Sequence, residues 1–179
     1  MAHSRSHERI PLGVAVLTVS DTRNFENDTS GAYLIDALKT EGHLLVERSL
    51  VKDDIYQIRA RVSQWIAAEE VQVILITGGT GFTERDSTPE AVIPLFDKRI
   101  EGFGELFRQL SWEEIGTSTI QSRAIAGLAN RTLVCCLPGS TGACRTGWEQ
   151  ILKKQLDARQ GPCNFVPHLI QQPMCSSRE

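Results

Sequence analysis

The sequence has 179 residues, of which 41% are hydrophobic and 23% are charged, and its formal net charge is −3. This length suits one domain with a substantial core, and the composition is typical of a soluble globular protein. No apolar run approaches the length that spans a bilayer, so we predict no membrane segment. The slightly acidic balance excludes the basic surface that nucleic-acid binding requires. The first eight residues lack the apolar centre of a secretory signal, which predicts a cytoplasmic location.

In the first half of the chain, apolar runs alternate with segments of helical spacing. Residues 14–20 form an almost unbroken apolar run that predicts a buried strand, and residues 29–41 predict a helix. Residues 44–51 predict a second strand. A second helix follows, for which either Asp53 or Asp54 could be the N-cap.

The second half continues this alternation with one less regular region. Residues 71–76 predict a third strand, and the sequence from Ser87 to Glu90 is typical of a capping box at a helix start. Gly102–Gly104 predicts a break, and residues 105–110 and 120–128 predict helices on either side of less regular sequence. Residues 131–137 predict a fourth strand and residues 141–156 a last helix.

Strands that are apolar on both faces and alternate with helices predict an α/β fold, in which helices cover both faces of a mostly parallel sheet. Ligands of such folds bind beyond the carboxyl ends of the strands. Three segments fall at predicted strand ends: Ser20–Asp21, residues 77–86 and residues 138–140. We therefore expect them to share one site.

The segment ITGGTGFTERD, residues 76–86, carries the strongest local signal for binding. It lacks the lysine of a P-loop, and Glu84 stands where a dinucleotide-binding fingerprint has its third glycine. Gly78, Gly79 and Gly81 would let backbone amides approach a phosphate or the edge of a ring closely. A tight turn without a ligand is the alternative interpretation.

Asp53 and Asp86 have two interpretations that the residues alone leave open. A carboxylate beside a phosphate-binding loop is repulsive unless a divalent cation lies between them, and Mg²⁺ commonly uses one or two carboxylates together with substrate phosphates. Either aspartate could instead cap a helix.

Cysteine and histidine chemistry gives no competing site. The cysteine number is odd and no C-x-x-C spacing occurs, which predicts reduced thiols rather than disulfides or a zinc site. Cys163 and His168 could form a nucleophile and base, but no orienting partner is indicated, and packing or exposure is favoured. The five cysteines are Cys135, Cys136, Cys144, Cys163 and Cys175.

The sequence from Thr77 to Gly81, followed by Asp86 and by Thr88-Pro89-Glu90-Ala91, resembles the molybdenum cofactor biosynthesis family that includes MoaB and MogA. Further matches support the resemblance, which covers about residues 10–170: Leu17-Thr18-Val19-Ser20-Asp21, Asp28-Thr29-Ser30-Gly31, Ser122-Arg123, Ala126-Gly127 and Leu137-Pro138-Gly139. Gly102-Phe103-Gly104-Glu105 and Pro162-Cys163-Asn164-Phe165 look closest to bacterial MoaB members.

This resemblance implies a three-layer α/β/α sandwich that assembles as a trimer or hexamer. It also implies an adenylyltransferase, which binds molybdopterin and ATP with Mg²⁺, transfers AMP to the terminal phosphate of the pterin and releases pyrophosphate. Asp53 and Asp86 would then be catalytic and would orient Mg²⁺. The implied substrate-binding residues are Ser20, Thr77, Gly78, Gly79, Thr80, Gly81, Ser111, Pro138, Gly139 and Ser140.

An alternative function within the same pathway rests on Cys136. Many adenylyl-transferring relatives have Asn just before the Leu/Met-Pro-Gly segment, where this chain has Cys136, and a thiol cannot supply the same donor and acceptor. A non-catalytic molybdopterin-binding or scaffold protein, which could contact other pathway proteins, is therefore the second hypothesis. An unrelated nucleotide-binding module is a third, weaker one.

The sequence also predicts a contact between subunits and flexible tails at both ends of the domain. The apolar residues around Phe103, Phe107 and Trp112 predict a subunit contact. Residues 1–9 and 171–179 are predicted to be flexible tails of the domain at 10–170.

Overall fold

The computed structural model describes residues 8–170, which form one six-stranded sheet with helices on both faces. The strands are β1 (Gly13–Val19), β2 (Leu44–Val51), β3 (Val73–Thr77), β4 (Lys98–Arg99), β5 (Ile125–Ala129) and β6 (Thr132–Leu137). The helices are α1 (Thr29–Thr40), α2 (Ile55–Ala67), α3 (Thr88–Val92), α4 (Glu101–Ile115), α5 (Thr141–Gly147), α6 (Lys153–Gln155) and α7 (Val166–Leu169). None of the helices in this part of the chain combines the length and apolarity that crossing a bilayer requires.

The sheet is mostly parallel, as the sequence predicts. Its strand order is β2-β1-β3-β6-β5-β4, and the first four of these strands run parallel to one another. The last two pair antiparallel. The carboxyl ends of β1, β3 and β6 therefore lie side by side at one edge.

Two hydrophobic clusters cover the two faces of this sheet. One contains Leu34 of α1, Phe107 of α4 and Trp148, and the other contains Ile58 and Trp65 of α2. Alternate residues of each central strand point to opposite faces, so both faces are apolar. This arrangement confirms the predicted three-layer α/β/α sandwich.

The predicted helix at residues 120–128 is wrong. The structure has a 3-10 turn at Gly116–Gln121, and Ile125–Ala129 is a strand that forms a hairpin with β6. The hairpin turn places Asn130 and Arg131 at φ +46° and +65°. Type I′ hairpin turns need positive φ at both central positions, and arginine rather than glycine at the second one hides this signal.

The predicted break at Gly102–Gly104 is also wrong, because α4 runs through it. A side chain at Gly104 would collide with the carbonyl oxygen of Ala124, so this glycine lets the helix pack closely on the chain entering β5. The predicted last helix is interrupted by a π turn at Trp148–Leu152.

The capping box at Ser87 and Glu90 is not formed. Ser87 is the N-cap residue of α3 but makes no side-chain cap hydrogen bond, and Glu90 pairs with Arg123 instead. Of the predicted tails, residues 1–7 and 171–179 lie outside the described residues. Arg9, which we assigned to the N-terminal tail, forms an ion pair of 2.8 Å with Glu41.

The predicted subunit contact stays a prediction, but the structure corrects the residues that could form it. Phe103 and Phe107 are buried in the core between α4 and the sheet, whereas Trp112 is 53% exposed. Helical spacing places the two phenylalanines on the face opposite the solvent. The apolar residues that are exposed on and after α4 are Leu106, Trp112, Ile115 and Ile120.

Candidate functional site

The three predicted segments meet at the carboxyl edge of the sheet. The amide of Gly78 donates to the carbonyl of Leu137 at 3.1 Å, and the hydroxyl of Thr77 donates to the carbonyl of Pro138 at 3.2 Å. Arg23, which follows β1, donates to the carbonyl of Gly139 at 3.0 Å. The expectation that these segments share one place is therefore confirmed.

The backbone after β3 needs glycine at two consecutive positions. Gly78 has φ +100° and Gly79 has φ +64°, a region that side chains with a Cβ disfavour. A Cβ on Gly78 would overlap the carbonyl oxygen of Val19, and one on Gly79 would lie 2.6 Å from Oδ2 of Asp53. The loop after β3 thus packs tightly against the ends of β1 and β2.

This loop also presents free hydrogen-bond donors. Within residues 8–170, the backbone amides of Gly79 and Thr80 donate to no acceptor. Their carbonyls are engaged, because Thr88 donates its amide to Gly79 at 2.9 Å and Arg123 donates to Thr80 at 3.2 Å. The loop is a tight turn that also has amides available for an anion.

Asp86 closes the loop on itself. Its Oδ2 accepts hydrogen bonds from the amide and the hydroxyl of Thr83, at 2.9 and 2.6 Å. Burial acts to raise the pKa of Asp86, but these bonds, the Gly81 amide and the charge of Arg123 lower it below the ordinary value. Asp86 is therefore a carboxylate at neutral pH, and its helix-capping interpretation is wrong.

Arg123 fixes the outer part of this loop, and sequence reasoning did not place it in the site. Its guanidinium donates to the carbonyls of Thr80 and Asp86 at 3.2 and 3.0 Å and pairs with Glu90. Its guanidinium carbon also lies 5.1 Å from the ring centroid of Phe82. Its membership of the Ser122-Arg123 motif was the only signal in the sequence.

Asp53 lies against the inner part of the loop and is only 9% exposed. Its Oδ1 accepts from the amide and the hydroxyl of Ser87 at 3.0 and 2.9 Å. Asp54, not Asp53, caps α2, by accepting from the amides of Tyr56 and Gln57. The capping interpretation of Asp53 is therefore wrong.

The surroundings of Asp53 disfavour its charge. Burial raises the pKa of this carboxyl, and the negative charges of Asp86 and Asp21 raise it further, against the lowering effect of the Ser87 hydrogen bonds. Within residues 8–170, Oδ2 of Asp53 accepts no hydrogen bond. A positively charged partner at Oδ2 would relieve this cost.

A cavity of about 480 Å³ opens on the other side of the loop, between α4 and the start of α5. Gly78, Gly79, Thr80, Gly81, Ser111, Pro138, Gly139, Ser140 and Asp86 of the predicted site line it. The other lining residues, which the sequence analysis did not assign to the site, are Phe107, Glu114, Ile115, Ser118, Gln121, Ser122, Gly142 and Ala143.

Three predicted residues lie outside the cavity lining. Thr77 is fully buried beneath it, 3.2 Å from the sulfur of Cys144. Ser20 stabilises the turn after β1 by accepting from the amides of Thr22 and Arg23. Asp53 lies behind Gly79, which lines the cavity and on which a Cβ would come within 2.6 Å of Oδ2 of Asp53.

Ser122 is the unpaired polar group of the cavity. Its hydroxyl oxygen is buried and has no hydrogen-bond partner within the described residues. A buried hydroxyl without a partner is unfavourable, so this atom marks a position where a polar ligand group would be stabilised.

Residues 8–170 hold no group of three or more His, Cys, Asp or Glu side chains that could bind a metal alone. Cys135, Cys136, Cys144 and Cys163 are free thiols, and Cys175 lies outside the described residues. Cys135 and Cys136 belong to the clusters on opposite faces of the sheet. A larger groove of about 520 Å³ lies at the amino ends of the strands, lined by Gln72 and Thr132 among others.

Comparison with known proteins shows the family to which the chain belongs. The family model described as a probable molybdopterin binding domain matches residues 15–158. Molybdenum cofactor biosynthesis protein B of Escherichia coli strain K12 is 62% identical over 164 residues, which cover 92% of this chain and 96% of that protein.

Solved structures agree. A crystal structure of molybdenum cofactor biosynthesis protein B has a TM-score of 0.81 at 43% identity and covers 83% of this chain and 93% of its own. The tungsten cofactor synthesizing protein MoaB of Pyrococcus furiosus has a TM-score of 0.73 at 36% identity, with coverages of 80% and 92%. The chain therefore belongs to the molybdopterin-binding domain family of molybdenum cofactor biosynthesis proteins.

Proposed function

We propose that this protein acts in molybdenum cofactor biosynthesis as a molybdopterin adenylyltransferase, which transfers AMP from Mg-ATP to the terminal phosphate of molybdopterin and releases pyrophosphate. The observation that carries the proposal is the position of Gly79. This residue lies between a cavity suited to a pterin and the carboxylate of Asp53, whose Oδ2 lacks a partner within residues 8–170. The two substrates would meet across it.

The cavity provides the groups that molybdopterin would need. The hydroxyl of Ser122 and the side chains of Glu114 and Gln121 offer polar contacts for the edge of a pterin ring. The free amides of Gly79 and Thr80 would receive the terminal phosphate, because oriented backbone N–H groups bind anions without a lysine. The volume of about 480 Å³ lies in the range of small-molecule sites.

The carboxylates fit a magnesium ion that arrives with ATP. Within residues 8–170, Oδ2 of Asp53 accepts no hydrogen bond, and the nearby carboxylates of Asp86 and Asp21 make an environment that a divalent cation stabilises. Mg²⁺ usually takes one or two protein carboxylates and completes its shell with phosphate oxygens and water. Asp53 and Asp86 would hold it, and the ion would offset the repulsion between the two phosphate-bearing substrates.

This reaction requires positioning rather than a general base. The terminal phosphate of molybdopterin is ionised at neutral pH, and one of its oxygens attacks the α-phosphorus of ATP. The bond between that phosphorus and the bridging oxygen to the β-phosphate breaks, and pyrophosphate leaves with the electron pair. The glycine loop would hold the nucleophile in line, which is the main catalytic contribution in phosphoryl and nucleotidyl transfer.

Incubation of purified protein with molybdopterin and Mg-ATP tests the proposal. We expect adenylylated molybdopterin and pyrophosphate in equal amounts. The variant Asp86→Asn keeps an oxygen that can accept from Thr83 and serves as the matched control. Product formation by the wild type at the level of this variant would overturn the proposal.

A second candidate function is a non-catalytic molybdopterin-binding or scaffold protein of the same pathway. The observation that favours it is Cys136, which is fully buried in the apolar cluster beside α2 and offers no amide. Calorimetry distinguishes the two functions. The scaffold hypothesis predicts molybdopterin binding without Mg-ATP binding, and tight binding of Mg-ATP would contradict it.

We further propose that the chain forms a trimer or hexamer. The exposed apolar side chains of Leu106, Trp112, Ile115 and Ile120 support this, because such a patch is normally covered in an assembly. Light scattering at micromolar concentration should give at least three times the mass of 19.9 kDa. A monomer at that concentration would contradict the assembly without touching the proposed chemistry.

A further inference from the structure

Two arginines contact the loop after β3, and their guanidinium groups are in different situations. Arg123 is bound to two backbone carbonyls and to Glu90, and its side chain is only 23% exposed. Arg85 lies on the loop itself, is 63% exposed, and contacts one side-chain partner, Asp21. The first arginine is fixed by the fold, and the second is held only by a surface carboxylate.

The pair formed by Arg85 and Asp21 is bidentate. Nε of Arg85 donates to Oδ2 of Asp21 at 3.0 Å, and Nη2 donates to Oδ1 at 2.8 Å. The same Oδ1 accepts the backbone amide of Asp53 at 3.3 Å. In this pair the guanidinium lies, through Asp21, near the residue that would hold the metal of Mg-ATP.

An exchange of partners by Arg85 would cost little. Exposed ion pairs contribute little to stability, whereas the planar fork of arginine binds phosphate in the same bidentate manner as carboxylate. A phosphate group carries more charge than the carboxylate of Asp21 and would compete for the guanidinium effectively. Lys52, exposed next to Asp53 in the sequence, adds a second positive charge near Asp21.

The geometry of the proposed reaction determines which phosphates of ATP would lie near Arg85. The nucleophile lies in the cavity, and neither Asp53 nor Arg85 lines that cavity. In an in-line displacement the leaving group departs on the side opposite the nucleophile. The β- and γ-phosphates of ATP would therefore lie on the side of Asp53 and Arg85.

We infer that Arg85 is a nucleotide-binding residue whose guanidinium pairs with Asp21 until the nucleotide binds. When Mg-ATP binds, the guanidinium leaves the carboxylate of Asp21 and binds oxygens of the β- and γ-phosphates, which become pyrophosphate. This inference rests on the proposed adenylyl transfer. It assigns a substrate contact to Arg85 and a competing, inhibitory contact to Asp21.

Equilibrium binding of Mg-ATP and Mg-pyrophosphate to Arg85→Gln and Asp21→Asn tests this inference, because the two variants should act in opposite directions. Loss of the guanidinium in Arg85→Gln should weaken both ligands about tenfold, the loss of a charge-assisted contact. Removal of the competing charge in Asp21→Asn should tighten both about threefold. AMP lacks the β- and γ-phosphates, and its affinity should change less than about twofold in either variant.

Arg159 provides a matched control. It forms an equivalent bidentate pair with Asp157, at 2.9 and 2.7 Å, and contacts none of the site residues. Arg159→Gln should leave Mg-ATP affinity unchanged. Thermal unfolding of each variant should stay close to that of the wild type, which separates binding effects from loss of fold.

Three results would overturn the inference. If both site variants weaken Mg-ATP binding, or if neither changes it while the wild type binds, the Arg85–Asp21 pair is structural and the adenylyltransferase proposal is untouched. If the wild type binds neither Mg-ATP nor Mg-pyrophosphate, the adenylyltransferase proposal fails together with the inference.

Discussion

Asp28 and Asp53 are both buried at the carboxyl edge of the sheet, but their surroundings are opposite. Asp28 follows β1, caps α1 through the amide of Gly31, and accepts from Thr18 at 2.7 Å and from Arg48 at 2.9 Å. Asp53 follows β2, accepts only from Ser87 among the described residues, and lies near two other carboxylates. The fold pairs the first carboxylate directly with an arginine, whereas within residues 8–170 no cation bonds to the second.

The pKa values of Asp28 and Asp53 are shifted in opposite directions. Burial acts to raise the pKa of Asp28, but the hydrogen bonds from Thr18 and Arg48 and the amide of Gly31 lower it below its ordinary value. Burial raises the pKa of Asp53, and neighbouring negative charges add to that effect. A compensated buried charge stabilises the fold, whereas an uncompensated one marks a place where a ligand supplies the missing charge.

The largest expected effect on stability comes from replacing Asp28, whose buried charge is compensated by Arg48. Asp28→Asn leaves Arg48 without its carboxylate and should reduce the free energy of unfolding by about 3 kcal/mol at neutral pH. Since the folded pKa of Asp28 is lowered, this contribution is present above its unfolded pKa and is lost as pH falls through the folded pKa. Urea denaturation from pH 7 down to pH 3 measures the loss of stability and its pH dependence. An unchanged denaturation midpoint would contradict the stabilising role of Asp28.

An intermediate effect is expected at the loop that separates the cavity from Asp53. Arg123→Ala removes hydrogen bonds to the carbonyls of Thr80 and Asp86 and should cost about 2 kcal/mol of unfolding free energy. It should also weaken molybdopterin binding, because the loop loses its outer support.

The control for this variant is Arg59→Ala. Arg59 also donates to two backbone carbonyls, those of Ala91 and Glu90, both at 3.1 Å, but it does not contact the loop. Its loss should reduce stability similarly and leave molybdopterin affinity intact. Equal losses of affinity in the two variants would show that Arg123 acts only on global stability.

The smallest effect, and one of opposite sign, is expected at the uncompensated carboxylate. Asp53→Asn keeps an oxygen that can accept from Ser87 and removes a destabilising charge, so it should raise the free energy of unfolding by about 1 kcal/mol at neutral pH. Because the folded pKa of Asp53 is raised, the gain should vanish below its unfolded pKa and be complete above the folded one.

Asp54→Asn is the matched control for that sign. Asn replaces Asp well as an N-cap, so the Asp54 variant should change stability by less than about 0.5 kcal/mol at any pH. Thermal unfolding in the absence of ligands compares the two variants directly. Destabilisation by Asp53→Asn would contradict the account of an uncompensated charge.

The parts of the fold and site that could be predicted from the sequence are those with local signals. The strand β1 and the tight turn at Gly78 and Gly79 could be predicted from local sequence, because a buried strand and a positive φ each restrict the residue types at a few neighbouring positions. The hairpin turn at Asn130 and Arg131 lacks the usual glycine. Without that turn signal, the local spacing predicted a helix where the structure has strand β5.

Contacts between distant segments could not be predicted in this way. Arg123 lies 43 residues from Thr80, and Arg85 lies 64 residues from Asp21. Nothing local in the sequence pairs these groups, because their proximity follows from the strand order of the sheet. Asp53 accepts its hydrogen bonds from Ser87, 34 residues away, so only the structure shows that Asp54 and not Asp53 caps α2.

The central claim is that Asp53 completes a site for Mg-ATP beside bound molybdopterin. Transfer of labelled AMP to molybdopterin, measured in a single turnover with wild type and Asp53→Asn, tests it most directly. We predict that the variant binds molybdopterin like the wild type but forms adenylylated product at least about 100-fold more slowly. Product formation by Asp53→Asn at the wild-type rate would contradict the claim.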